Sequence, residues 1–327
     1  DNPRSLGDRN VWAITEDYEN NLWIGMLGAG LSRYNRERDD FEHFRHDPND
    51  PQSIGGNLIV VFHEDKNRQF WIGTEEGGLS LFDKENGTFR NFGHDPESTD
   101  GLLNSNVRAL HEDRLGQLWI GTASGMNLMD IRTKVLTVAP VNALLPNPVV
   151  NGILEDDQGN LWISTNKGLS VYDPKENTIQ NFSKSDGLQG NEFNYSSSVR
   201  SRKTGKMYFG GLQGLNAFDP QEIKLSPFDP KIVITDLKVF DQSISQKDTL
   251  NGRQIISKSL AEISEVSFTH RENVITIEFA ALDYTSPLQN KYRYMLEGFD
   301  ESWVEVGATK RSATYTNLDQ GDYVFHV

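Results

Sequence analysis

The chain has 327 residues and a formal net charge of −15, from 32 Lys+Arg against 47 Asp+Glu, which speaks against a basic stripe for nucleic acid and against polybasic contact with a membrane. It has no cysteine, so disulfides, zinc–cysteine sites, iron–sulfur clusters and thiol catalysis are excluded. No run of about 18 apolar residues is present to span a bilayer as a helix, while 17 Phe, 10 Tyr and 6 Trp can supply a core.

The opening residues, Asp1-Asn2-Pro3-Arg4, lack a signal-peptide pattern and read as the middle of a longer sequence. Self-similarity follows. Trp23-Ile24-Gly25, Trp71-Ile72-Gly73, Trp119-Ile120-Gly121 and Trp162-Ile163-Ser164 recur, with Tyr208-Phe209-Gly210 as a weaker fifth copy, at spacings of 48, 48, 43 and 46 residues. Periods of this size mean arrays, solenoids or propellers. In the third copy, strand patterns cover 107–111, 117–122, 126–129 and 134–138, with turns between them. Gly116, Gly159 and Gly205 stand three residues before the aromatic, and Asn20 does so in the first copy. A hairpin turn with positive φ asks for such residues. Arg68 in the second copy predicts a different turn there.

Four short antiparallel strands per unit read as a β-propeller blade. A blade cannot bury both faces alone, so it stacks on its neighbours around an axis, and the aromatic of the second strand fills the space between. Burying one such ring is worth at most ~4–6 kcal/mol. Trp23, Trp71, Trp119, Trp162 and Tyr208 are therefore structural. The fifth unit lacks a fourth strand and runs through Asp219 into proline-rich sequence (Pro220, Pro227, Pro230). No strand precedes residue 5 to complete it, which predicts missing upstream blades and a larger propeller, not a sealed five-bladed ring.

From Lys231 the pattern changes. Val274–Phe279 and Tyr292–Leu296 alternate as half-buried strands do, and further short strands follow at 303–306, 313–315 and 323–327. About seven strands in a hundred residues read as an immunoglobulin-like β-sandwich, with its last strand or two expected beyond residue 327. The expected fold is all-β, with propeller blades over 1–226 and a C-terminally incomplete sandwich over 227–327. Tyr292, Tyr294, Tyr315 and Tyr323 are expected to be core or corner aromatics.

These patterns resemble a known family, the periplasmic sensor region of Bacteroidetes-type hybrid two-component systems, in which regulator-propeller repeats precede a Y_Y_Y domain. The resemblance rests on Glu112-Asp113 followed by Gly116-Gln117-Leu118-Trp119-Ile120-Gly121-Thr122, on the loop Asp186 to Asn194, and on Met207–Gly211 with Gly214–Pro220. Tyr292-Arg293-Tyr294, Leu296–Asp300, Trp303, Tyr315–Leu318 and Gly321-Asp322-Tyr323 carry the Y_Y_Y part. It implies a receptor for saccharides outside the cytoplasm, with a membrane helix beyond the sandwich and a cytoplasmic histidine kinase, the last two expected outside this chain. It also implies a homodimer through sandwich and propeller, and control of transcription of utilisation genes.

Repetition also sorts candidate chemistry. The pairs Glu16-Asp17, Glu64-Asp65, Glu112-Asp113 and Glu155-Asp156 recur at one blade position. Paired carboxylates can be glycosidase residues, but repeated copies beside a turn read as turn and solvation residues. His63 and His111 are equivalent, as are His46 and His94, and no HExxH, phosphate-binding loop or GxSxG elbow is spelled. Catalytic residues, metal ligands and cofactors are therefore expected to be none.

The beat breaks where each first strand begins. Trp12, Ile59, Arg108, Asn151 and Ser197 are aligned there and differ completely. In propellers this strand lines the axis, and its start opens on a ligand face. A saccharide needs an aromatic platform and a few oriented hydrogen-bonding groups. Trp12 offers the first, and Arg108 and Asn151 the second. Asn166, Lys167 and Gln213, in loops between second and third strands, share that face. Asn191 and Asn194 are expected to staple their loop. The preferred function is an oligosaccharide-sensing ectodomain without enzymatic activity; a propeller lyase or other carbohydrate-active enzyme and a protein-interaction scaffold are the alternatives.

Overall fold

The computed structural model describes residues 4–96, 101–223, 231–282, 287 and 290–327. The chain divides into two compact units, 1–225 and 226–327. The expected boundary at 226/227, with Pro227 and Pro230, lies outside the described residues.

The first unit holds five antiparallel sheets in chain order. Four have four strands each, and the fifth has three, Phe193–Arg200, Met207–Gly211 and Gly214–Phe218. Their first strands are Val11–Glu16, Leu58–Glu64, Val107–Glu112, Val150–Glu155 and Phe193–Arg200. Each first strand lies against the next one in the series, making a radial fan.

The repeated aromatics sit between sheets. Trp23 and Trp71 are 0% exposed, Trp162 1% and Trp119 3%. Trp23 packs on Phe70, Ile72 and Phe82 of the second sheet, and Trp71 packs on Val107, Leu118 and Ile120 of the third. Tyr208, with no further sheet packed against it among the described residues, is only half-buried.

The small residue after Trp-Ile has a cause. A Cβ on Gly73 would lie 2.5 Å from Val61 Cγ1 and 2.7 Å from Val107 Cγ1, and one on Gly121 2.6 Å from Val150 Cγ1. The next sheet's inner strand rests directly on the glycine, and branched side chains there have little room to withdraw. We expect Gly73→Ala to cost about 1–3 kcal/mol by overpacking, measured as a lower urea midpoint at unchanged m-value.

The fan is open. Leu31, Leu79, Met126 and Leu169 hold one repeat position, opposite the residue after Trp-Ile, and are at most 2% exposed. Leu215 holds it in the fifth sheet and is 61% exposed. At the other end Ile14, in register with Ile24, is 63% exposed, whereas Ile153, likewise in register with Ile163, is 4% exposed. The first and fifth sheets therefore do not close a ring.

Two local expectations are corrected. Arg68 adopts the same left-handed turn as its counterparts: φ is 65° there, 63° at Asn20 and 78° at Gly116. Its N–H donates to the Asp65 carbonyl as that of Gly116 does to Asp113, and its guanidinium lies 4.3 Å over the Tyr18 ring. The repeated aspartates are not solvation residues. Asp17, Asp65, Asp113 and Asp156 are at most 8% exposed, and each accepts its own tryptophan's indole N–H at 2.9–3.1 Å. The other carboxylate oxygen accepts two backbone N–H groups of the turn, as Asp65 Oδ1 does from Asn67 and Gln69. One carboxylate thus ties the hairpin turn to the ring between sheets. The preceding glutamates tie neighbouring sheets: Glu64 accepts from Tyr18 N and Lys84, and Glu112 from Lys66 N.

Burial alone would raise the Asp17 carboxyl, but Trp23, Lys84 and Asn21 overcome it and bring it down to about 2. A carboxylate depressed in the folded state adds stability above its unfolded value near 3.8, and this is lost as pH falls toward 2. We expect the stability difference between the parent chain and Asp17→Asn to shrink steadily from pH 5 to about pH 2 in urea titrations.

The second unit is a β-sandwich. One sheet orders Gln242–Ser243, Ile232–Val239, Val274–Ala281 and Ser312–Thr316; the other orders Val304–Gly307, Lys291–Glu297 and Val324–His326. Tyr292, Tyr294 and Tyr315 are buried around Phe279. The Tyr315 hydroxyl donates to Asp300 Oδ2 at 3.0 Å, and that of Tyr323 to the Asp319 carbonyl at 3.0 Å. Burial, then Asp300, pushes the Tyr315 phenol well up.

Candidate functional site at the axial end of the fan

Each inner strand carries a β-bulge at the same place. The register skips one residue between Val11 and Ala13, Ile59 and Val61, Val107 and Ala109, and Val150 and Gly152. The bulged residues are Trp12, Val60, Arg108 and Asn151. A bulge frees one residue from the ladder and re-aims it, which is why bulges gather at sites. Aligning Ile59 with these was wrong by one residue: Ile59 pairs with Thr74 and is fully buried. Val60 stands as far before Trp71 as Trp12 does before Trp23.

In the fifth sheet the register jumps from Phe193 to Ser198. Asn194, Tyr195, Ser196 and Ser197 form one enlarged bulge, with Ser196 left-handed at φ 52°. Ser197, aligned above as a single off-beat residue, is the last member of this bulge. The bulge reaches across the axis. Ser196 Oγ donates to the Val60 carbonyl at 3.0 Å and lies 3.3 Å from that of Arg108. The Tyr195 ring stacks on Trp12, 5.3 Å between centroids and 25° between planes, and the Arg108 guanidinium lies 5.2 Å from its centroid. Asn151 Nδ2 donates to the Phe193 carbonyl at 2.8 Å and to Asn166 Oδ1 at 2.8 Å. All five sheets meet here.

The site combines an aromatic platform with fixed polar groups. Trp12 is 43% exposed. Burial, then Glu75, pushes the Tyr195 phenol up, so it stays a hydroxyl donor at neutral pH. Arg108 Nη1 donates to Asn151 Oδ1 at 3.3 Å, and Nη2 lies 3.9 Å from Glu75 Oε1.

Of the residues singled out from sequence, Trp12, Arg108, Asn151 and Asn166 come together. Lys167 is exposed beside Asn166, its backbone N–H held by Thr165 Oγ1. Gln213 stands apart in the fifth sheet's loop, where its N–H meets Gln189 Oε1 and its side chain meets Lys184. Asn191 staples its loop through Lys184 N, at 2.8 Å. Tyr195 and Ser196 were missed, because their bulge within Phe193–Arg200 is an insertion that counting back from the aromatic steps over.

The histidines at the repeated positions pack within the fold. His46 and His94 each place Nδ1 near 2.7–2.8 Å from a loop carbonyl, those of Ile54 and Leu102. His63 lies between sheets, and burial, then His111, lowers it to about 4. Among the described residues, no three of His, Asp and Glu converge as a metal-ligating group. In the second unit a cleft of about 1380 Å³ is lined by Leu237, Ile263, Phe268, Ile275, Tyr315 and Phe325, among others.

Two component regulator propeller repeats match residues 5–28, 101–124 and 144–167, and a Y_Y_Y domain matches 283–327. The chain is 28% identical over 157 residues to histidine kinase P4 of Formosa agariphila, a match that takes in 48% of this chain and 11% of that protein. Among solved structures, the extracellular domain of a putative hybrid two component system of B. thetaiotaomicron is similar at 25% identity and a TM-score of 0.44, over 97% of this chain and 47% of that one. Another such domain from that organism is 21% identical with a TM-score of 0.50, over 98% of this chain and 48% of that one. The chain thus spans about half the length of the solved domains and about a tenth of the kinase.

Proposed function

We propose that this chain, built of two component regulator propeller repeats followed by a Y_Y_Y domain, is the ligand-sensing region of a hybrid two-component histidine kinase. In this reading it is the periplasmic part of an inner-membrane protein, and the membrane helix and kinase lie outside the chain; no helix among the described residues is long and apolar enough to cross a membrane. The ligand is an oligosaccharide from polysaccharide breakdown. The output is transcription of the genes that use it, and this region itself does no catalysis.

One observation carries the reading: the Tyr195–Ser196 bulge contacts the off-beat residues of the other sheets around a half-exposed tryptophan. The outer face of Trp12, backed by Tyr195, is offered to the C–H surface of a sugar ring, and Asn166 and Arg108 offer hydrogen bonds to its hydroxyls. The bulge belongs to the last sheet, from which the chain continues toward the second unit. A ligand that moves the bulge therefore acts on the sheet nearest in sequence to the sandwich. Two chains pair through sandwich and propeller, and the ligand must favour one arrangement by about 1–3 kcal/mol to switch the output.

Calorimetric titration with a panel of plant and host oligosaccharides tests this. One glycan should bind, and Tyr195→Ala or Trp12→Ala should weaken it about tenfold or more. A broad panel giving neither heat nor a thermal shift overturns the reading.

A further inference from the structure

We propose that the ligand is anionic: a saccharide bearing a carboxylate or sulfate that Arg108 receives. The inference rests on the reading above and names its ligand class. Arg108 carries five N–H donors, and the chain uses few of them. Nη1 makes one bond to Asn151 at 3.3 Å. Among the described residues Nη2 has only Glu75, at 3.9 Å and beyond hydrogen-bond reach. Nε is buried with no hydrogen-bond partner among the described residues. Buried donors are nearly always satisfied, and leaving one unpaired is costly. A guanidinium held so loosely at a bulge, its Cζ 5.2 Å from the Tyr195 ring centroid, has donors left over for a ligand's acceptor atoms.

The planar fork of arginine matches a carboxylate or sulfate in a way that a lone sugar hydroxyl does not. The Arg108 side chain is 20% exposed and that of Glu75 27%, so both stand at the edge of the platform. Glu75 is the local counter-charge, and the neighbouring Glu76 is exposed. Lys167 adds an exposed cation beside Asn166, at the same end. The chain as a whole carries −15 and repels anions at long range. An anionic sugar must therefore be held by contacts within the site, and Arg108 is the group placed to do so. An anion on Arg108 would replace the long contact to Glu75 and leave the stack with Trp12 in place.

The test is calorimetry on the chain with paired probes. Oligogalacturonides and oligoglucuronans are each titrated beside their carboxyl-reduced forms, and sulfated galactans beside their desulfated forms. The proposal expects an anionic member to bind about tenfold or more tighter than its neutral twin. Arg108→Gln should erase that difference. Glu75→Gln, a substitution at a part-exposed side chain, should tighten the anionic ligand severalfold relative to its neutral twin. Carboxylate or sulfate preference identifies which anion the site takes. Equal binding of charged and neutral twins, or a preference unchanged in both variants, overturns the proposal while leaving a saccharide sensor standing. Absence of binding by every probe and by the wider neutral panel removes both.

Discussion

Trp71→Ala should lower the stability of the first unit by about 3–5 kcal/mol. The ring is fully buried between the second and third sheets, against Leu79, Leu102, Val107, Leu118 and Ile120. Its loss leaves a cavity that two stiff sheets cannot collapse into, and strands the Asp65 carboxylate that held its N–H. The control is built into the repeat. Tyr208 holds the same position in the fifth sheet but is half-buried, and Tyr208→Ala should cost about 1–2 kcal/mol. Urea unfolding of the two variants measures the contrast. Equal costs would mean that the rings do not wedge neighbouring sheets.

Asp65→Ala should be nearly as damaging, at about 3–5 kcal/mol. The carboxylate is 0% exposed and accepts three bonds, from Asn67 N, Gln69 N and Trp71 Nε1. Removing it leaves three donors unpaired, each worth about 1–3 kcal/mol when stranded. Glu64→Ala, one residue away, removes contacts to Tyr18 N and Lys84, but Lys84 keeps Asp17 at 3.0 Å, so it should cost about 1–2 kcal/mol. A double-mutant cycle on Asp65 and Trp71 should return a coupling of about 1–3 kcal/mol. Additive costs would show that the turn and the ring are held independently.

The repeat made the fold legible. A large ring at a fixed beat requires something to bury it, and short strands with turn residues between them leave few architectures other than a blade. The aspartates were misjudged because a carboxylate beside a turn looks solvated in one dimension. Only the fold shows that the indole six residues on returns its N–H to the same oxygen pair. Arg68 was misjudged because glycine and asparagine are the usual left-handed residues, and here the hairpin imposes that conformation on arginine.

Half of the candidate site was legible for the same reason in reverse. Trp12, Arg108 and Asn151 stood out by breaking a pattern, and they occupy the bulges. Tyr195 and Ser196 did not stand out, because their bulge is an insertion and residue counting from the aromatic steps over it. Their partners lie far off in sequence, Trp12 in the first sheet and Val60 in the second. Contacts across an axis have no local signature.

The central claim is that recognition is confined to the off-beat bulges where the sheets meet. Hydrogen exchange with and without a bound oligosaccharide tests it most directly. The account predicts added protection at 193–198 and at the bulges around Trp12, Arg108 and Asn151, with the Asp–Trp turns at the other strand ends unchanged. Protection centred on those turns, or on the cleft around Phe268 and Phe325 in the second unit, would contradict it.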